Sequence, residues 1–251
     1  MRDSIITVGI ICPAPIEYQT CRQVLRLSEE IELAGRPVSS RSEKGMNIFA
    51  IQAGPGKIQC ASAAQLIIDR FKPDIVMGVG GAGALSPKLD IFDIVCGEYA
   101  YEYDVCTFEE FPRYADELTT STILTDLSEE GKDILHQFGK QVESEKSISF
   151  GIGNIASGEK VIKDRTLREK LHSAFQAMAC NWESSAILKT AKLNGIRSMA
   201  FHVISDKAGK EVAEELKANW KKALMILYPV LEDFLLGGWL LRILDCLEEK
   251  H

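Results

Sequence analysis

Apolar positions along the chain fall into two kinds of run that alternate. Short runs are rich in β-branched residues and bounded by Gly or Pro, as strands are; longer ones repeat apolar residues at helical spacing. Ile5, Ile6, Val8, Ile10 and Ile11 leave no polar alternation, so Ile5 to Cys12 is predicted to be a strand buried on both faces. A helix is predicted over 16–34, then a strand over 47–53 closed by Gly54-Pro55-Gly56. The helix predicted over 57–71 has apolar positions at Ile58, Ala61, Ala64, Leu66, Ile67 and Ile68, and Pro73 ends it. Asp74 to Val79 reads as a strand that runs into a sharp Gly-rich loop, Gly78-Val-Gly-Gly-Ala-Gly83. Strands at 91–101 and 147–155 flank a polar excursion at 109–132. A helix at 164–175, a strand at 178–182, a helix at 183–193, a strand at 197–204 and helical pattern from Lys210 complete the chain. This alternation indicates an α/β layered fold. With no disordered linker and no internal repeat, one domain over 1–251 is the economical reading.

Composition narrows the partners. The 251 residues carry 29 Lys plus Arg against 36 Asp plus Glu, a formal net charge of −7, and no dense basic cluster. Nucleic acid and anionic membrane surfaces are therefore poor partners, and a small molecule is the better expectation. The seven cysteines are scattered without a C-x-x-C pair, which fits reduced thiols in a cytoplasm. The N-terminal apolar stretch is too short for a signal peptide. The apolar segment 234–244 is interrupted by Arg242 and is shorter than the roughly 20 residues a bilayer requires, so it reads as a packed terminal helix or an oligomer contact.

Candidate chemistry sits at the strand ends. The glycine run does not match the dinucleotide or P-loop patterns, and it is read as either a ligand-contacting loop or a tight turn. No metal motif or nucleophile elbow occurs, and no cofactor is implied. Glu17, Glu183 and Asp206 each follow a strand. Carboxylates so placed either converge on one cleft outside the sheet or serve singly as helix caps and first-turn acids. His202 lies inside an apolar strand, where a hydrogen-bonded structural histidine is commoner than a catalytic one, and Trp182 is either core or a stacking surface for a flat base.

Taken in order, several segments resemble the nucleoside phosphorylase and nucleosidase superfamily, and within it the 5'-methylthioadenosine/S-adenosylhomocysteine nucleosidases. They are Val8-Gly-Ile-Ile with Glu17, Gly54-Pro-Gly-Lys-Ile, Phe71-Lys-Pro-Asp-Ile-Val, Gly80-Gly-Ala-Gly-Ala-Leu, Asp93-Ile-Val, Ile155-Ala-Ser-Gly-Glu, Asn181-Trp-Glu-Ser-Ser-Ala, Asn194-Gly-Ile and Val203-Ile-Ser-Asp-Lys-Ala. The resemblance spans roughly residues 5 to 210 and implies a three-layer α/β/α sandwich with a central mixed β-sheet, a homodimer, and hydrolysis of a purine nucleoside to adenine and a thioribose. It implies that Glu17 activates the attacking water, that Glu183 holds the ribose hydroxyls, and that Asp206, oriented by Ser205, protonates the purine N7. Backbone at Val161 and Ile162 would meet the adenine edge, and Trp182 would lie against the nucleoside. Gly81 and His202 stand where the family has the Ser and Arg that position the water. The basic residues that phosphorylases bring to phosphate are missing from the glycine run, which favours hydrolysis over phosphorolysis. A different purine nucleoside, futalosine-like or inosine-like, and a non-catalytic nucleoside-binding homologue are the alternatives.

Overall fold

The computed structural model describes residues 5–247. Its centre is a run of parallel strands. β1 (Ile6–Cys12) lies between β4 (Met46–Gln52) and β5 (Ile75–Ala84), parallel to both. Two antiparallel strands, β2 (Glu29–Leu33) and β3 (Arg36–Glu43), extend the sheet beyond β4. On its other side the sheet curls and closes. β5 pairs with β10 (Arg197–Asp206), β10 with β6 (Ile94–Glu102), and β6 with β8 (Phe150–Ser157). From there β8 pairs with β9 (Ala177–Asn181), and β9 returns to β5 at Gly83 and Ala84. The short β7 (Thr119–Ser121) pairs with β6.

Helices cover both faces of this mixed sheet. α1 (Pro15–Val24), α4 (Glu129–Lys146), α7 (Val212–Leu236) and α8 (Trp239–Asp245) pack on one face. There Val8 and Ile10 meet Tyr18, Cys21, Leu224, Leu227 and Tyr228. α2 (Lys57–Phe71) and α6 (Ser184–Leu193) pack on the other, where Ile11 and Val76 meet Ala64, Ile67 and Ile187. Adjacent Ile10 and Ile11 thus serve opposite cores, as a period of two requires of a strand buried on both faces. α5 (Arg165–Phe175) closes a smaller core around Leu171 and Phe175, and α3 (Ala115–Leu118) is a single turn leading into β7. The expected three-layer α/β/α architecture with a mixed sheet is the one observed.

Three expectations change. The helix over 16–34 stops at Val24, because Arg26 is left-handed (φ 51°) and the chain then forms the β2–β3 hairpin through Ala34 and Gly35. β2 is mostly exposed, so its Glu-Glu-Ile-Glu-Leu pattern carries little burial signal. The run 78–83 is not a loop but lies within β5, paired with β10 as far as Gly83. The polar excursion at 109–132 contains α3, β7 and the start of α4. The apolar segment 234–244 belongs to the core, with Phe234, Leu235, Leu240, Ile243 and Leu244 all buried. Among the described residues no single helix is long and apolar enough to cross a membrane.

Phe138 joins four of these elements. Fully buried on α4, it meets Phe150 of β8, Phe234 of α7 and Trp239 of α8 at ring separations of 5.5, 5.1 and 5.5 Å. Phe138→Ala is expected to lower unfolding stability by about 3–5 kcal/mol, measured by urea titration, through lost burial and the cavity left behind.

Candidate active site

One cavity opens at the C-terminal ends of β1, β5, β9 and β10, against the N-terminal part of α7. Glu17, Gly81, Val161, Ile162, Trp182, Glu183, Ser205 and Asp206 all line it. His202 does not. It is buried in β10, where its Nδ1 faces the carbonyl of Gly80 at 3.3 Å and its Nε2 lies 2.8 Å from Ser184 Oγ. A carbonyl can only accept, so the ring proton sits on Nδ1 and the Ser184 hydroxyl donates to Nε2. Burial pushes the pKa of His202 down to about 4, so it is a neutral structural group at physiological pH.

Glu17 is in the first turn of α1. Its Oε2 accepts from the backbone N–H of Ala14 at 2.7 Å, the bond expected of a first-turn acid, and its Oε1 accepts from Gly81 N–H at 2.9 Å. Both readings of this residue therefore hold: it caps its helix, and it faces the cavity. Desolvation outweighs these two donors and lifts its pKa from 4.5 to about 7, with a smaller contribution from the Glu183 charge. The indole N–H of Trp220 stands close enough to favour the ionised form, yet makes no hydrogen bond.

The glycines of β5 make room for these acids. A Cβ on Gly80 would overlap the Glu17 carboxylate, and one on Gly83 would lie 2.8 Å from Asp206 Oδ1. Adjacent residues of a regular strand point to opposite faces, but both Ser205 and Asp206 reach the cavity. The β5–β10 register shifts between Ile204 and Asp206, and this bulge re-aims the pair. Asp206 accepts from Ser205 Oγ at 2.9 Å and from Ala208 N–H at 2.9 Å, while burial raises its pKa above the usual carboxylate value. Ser205 Oγ also lies 3.3 Å from the Ala82 carbonyl. If its proton turns there, the hydroxyl accepts from a protonated Asp206, so both protonation states are accommodated.

Glu183 stands at the start of α6 and accepts from Gly56 N–H at 3.0 Å and from Trp182 N–H at 3.1 Å; burial raises its pKa too. Gly56, at φ +94°, turns its N–H towards Glu183 in a conformation other residues rarely adopt. Sequence reasoning missed Val212, Leu216 and Trp220, which form one wall. Their four-residue spacing puts them on one face of α7, but the same pattern describes the core face of any helix. No arginine lines the cavity, and among the described residues no group of His, Cys, Asp or Glu is arranged to hold a metal.

The raised pKa of Glu17 has a stability consequence. Below 4.5 the carboxyl is neutral in both the folded and the unfolded chain. Between 4.5 and about 7 the unfolded chain ionises while the folded one keeps its proton, so stability falls as pH rises, and the full cost is present above 7. Glu17→Gln is therefore expected to gain on the native protein by about 2–3 kcal/mol more at about pH 8 than at about pH 5. Urea unfolding of both proteins at the two pH values checks this, and an equal difference at both would contradict it.

Comparison with known proteins agrees with this architecture. The chain is 26% identical over 217 residues to the 5'-methylthioadenosine/S-adenosylhomocysteine nucleosidase of Staphylococcus aureus, covering 86% of this chain and 93% of that protein. Its fold matches the S-adenosylhomocysteine nucleosidase of Streptococcus pyogenes in complex with 5-methylthiotubericidin, with a TM-score of 0.78 at 20% identity over 94% of this chain and 98% of that one. It also matches the futalosine hydrolase of Helicobacter pylori, with a TM-score of 0.75 at 21% identity over 96% of this chain and 98% of that one. The family model of the phosphorylase superfamily matches residues 7–235, and the chain belongs to that superfamily.

Proposed function

We propose that this protein hydrolyses the N-glycosidic bond of a purine nucleoside carrying an apolar 5'-thio substituent, of the methylthioadenosine and S-adenosylhomocysteine type, releasing adenine and a thioribose. The observation that carries this reading is the meeting of three carboxylates, buried Glu17 and Asp206 and half-buried Glu183, in one cavity without an arginine. Breaking such a bond builds positive charge on the ribosyl ring and negative charge on the departing base. Glu17, titrating near 7, takes a proton from water as the oxygen attacks C1'. The C1'–N bond electrons leave with the purine, and Asp206, whose hold on a proton burial strengthens, gives its proton to N7. Glu183 holds the ribose hydroxyls, the Val161–Ile162 backbone meets the adenine edge, and Trp182 covers the nucleoside. A phosphate nucleophile would meet these carboxylates with only Lys160 as a cation on the wall, which supports water as the nucleophile.

The apolar wall of Val212, Leu216 and Trp220 suits a thioether. The likeness to a futalosine hydrolase supports futalosine as a second substrate to test. In this reading the chain acts as one domain in the cytoplasm, in methionine salvage, without a nucleic-acid partner; its seven cysteines are all unpaired. It pairs as a homodimer, supported by exposed Ile58 and Val105 beside the Lys57–Asp104 ion pair.

Chromatography after incubation with methylthioadenosine, S-adenosylhomocysteine, futalosine and inosine, each with and without phosphate, tests the reading. Adenine released from the thio compounds without phosphate is expected. Phosphate-dependent release, or release from inosine alone, would contradict it. Asp206→Asn is expected to lower kcat by about 10²–10⁴-fold with the fold intact by circular dichroism, as loss of a general acid requires; near-native turnover would remove Asp206 from that role.

A further inference from the structure

Trp220 has entered so far only through the apolar ring it adds to the cavity wall, yet its N–H edge stands beside the proposed base. Its ring packs against the main core, while its Nε1 is buried with no hydrogen-bond partner. A buried N–H without a partner is costly to keep, and this one stands near the Glu17 carboxylate without a formed hydrogen bond, which points to a third group that both would contact. The location is narrow. A Cβ on Gly81 would lie 3.3 Å from Trp220 Nε1 and 3.3 Å from Ser205 Oγ, and the N–H of the same Gly81 donates to Glu17. The indole nitrogen therefore borders the space that a side chain at position 81 would fill. The neighbouring donors are engaged. Ala14 N–H and Gly81 N–H serve Glu17 itself, and Ser205 serves Asp206. His202 is held by Ser184 and Gly80.

A water that attacks a ribosyl carbon needs an acceptor for the proton it loses. It also needs a donor on one lone pair, so that the other points at the carbon. Glu17 is the acceptor. We propose that the indole N–H of Trp220 is the donor: it contacts the attacking water and fixes its direction, in the place where a serine at 81 would otherwise reach. The N–H bond stays intact throughout. The water's proton passes to Glu17, its oxygen bonds to C1', and the base leaves with the proton of Asp206. This assignment rests on the hydrolase reading.

Trp220→Phe keeps a ring on α7 and removes the N–H. It is expected to lower kcat by about ten- to a hundredfold while KM stays within about threefold, the size of one lost hydrogen bond to a charged or reacting group. Gly81→Ser added to Trp220→Phe returns a hydroxyl donor to the same space and is expected to recover most of that loss, which a merely structural role for the indole would not allow. Should the Phe variant fold poorly, site-specific replacement of Trp220 by β-(3-benzothienyl)alanine deletes the N–H from a ring of equal size, with the same expected loss in kcat. An unchanged kcat without the N–H, or a loss that the serine leaves unrecovered, overturns the assignment while the native enzyme's turnover upholds the hydrolase reading. A native protein that frees no base from any of the four nucleosides overturns both.

Discussion

The site depends on how closely a strand backbone can approach a carboxylate. Residues 78–83 lie in the middle of a ten-residue strand, paired in parallel with β10 and, over its first half, with β1. Where a side chain at position 80 would project lies Glu17, and where one at 83 would project lies Asp206. The backbone N–H of Gly81 then becomes a ligand of Glu17. Any larger residue at 80 or 83 would push a carboxylate out of its place. The same stripping of side chains opens the hollow in which the proposed substrate is placed.

Burial sets the electrostatics of this hollow. Desolvation is the leading cause of the raised pKa in Glu17, Glu183 and Asp206 alike, and backbone donors offset it only in part. His202, the residue best placed in sequence to supply a compensating cation, is held neutral in the sheet. These carboxylates therefore have no fixed counter-ion deep within the cavity, and a ribosyl cation formed there is the species they would stabilise most when ionised. Stability is given up for this arrangement, because an ionised Glu17 is harder to keep in the folded chain than in water.

Much of this could be read from the chain alone. The strands β1, β5 and β10 announce themselves as β-branched runs, and the three acids fall at strand ends in an order and spacing that the family resemblance made specific. What the sequence concealed has physical causes. The glycine run looked like a turn because the side chains that require its bareness, Glu17 and Asp206, are distant in sequence. The bulge at Ser205 leaves no mark on the residue pattern, yet it decides that Ser205 and Asp206 share a cavity. β2 was hidden in a segment read as helix, since an exposed edge strand lacks the burial alternation that identifies one, and β3 lies at 36–43, where no element was predicted. Trp220 sits on a helix whose apolar stripe continues into the core, so nothing in its spacing separates a cavity wall from packing.

Glu17 acts in this site as a buried base that titrates in the neutral range, and that titration can be observed directly. Its side-chain carboxyl carbon can be followed by nuclear magnetic resonance in protein labelled with carbon-13 at glutamate, with Glu17→Gln identifying the signal. A midpoint at about 7 is expected. A midpoint near the ordinary carboxylate value of 4.5 would contradict it.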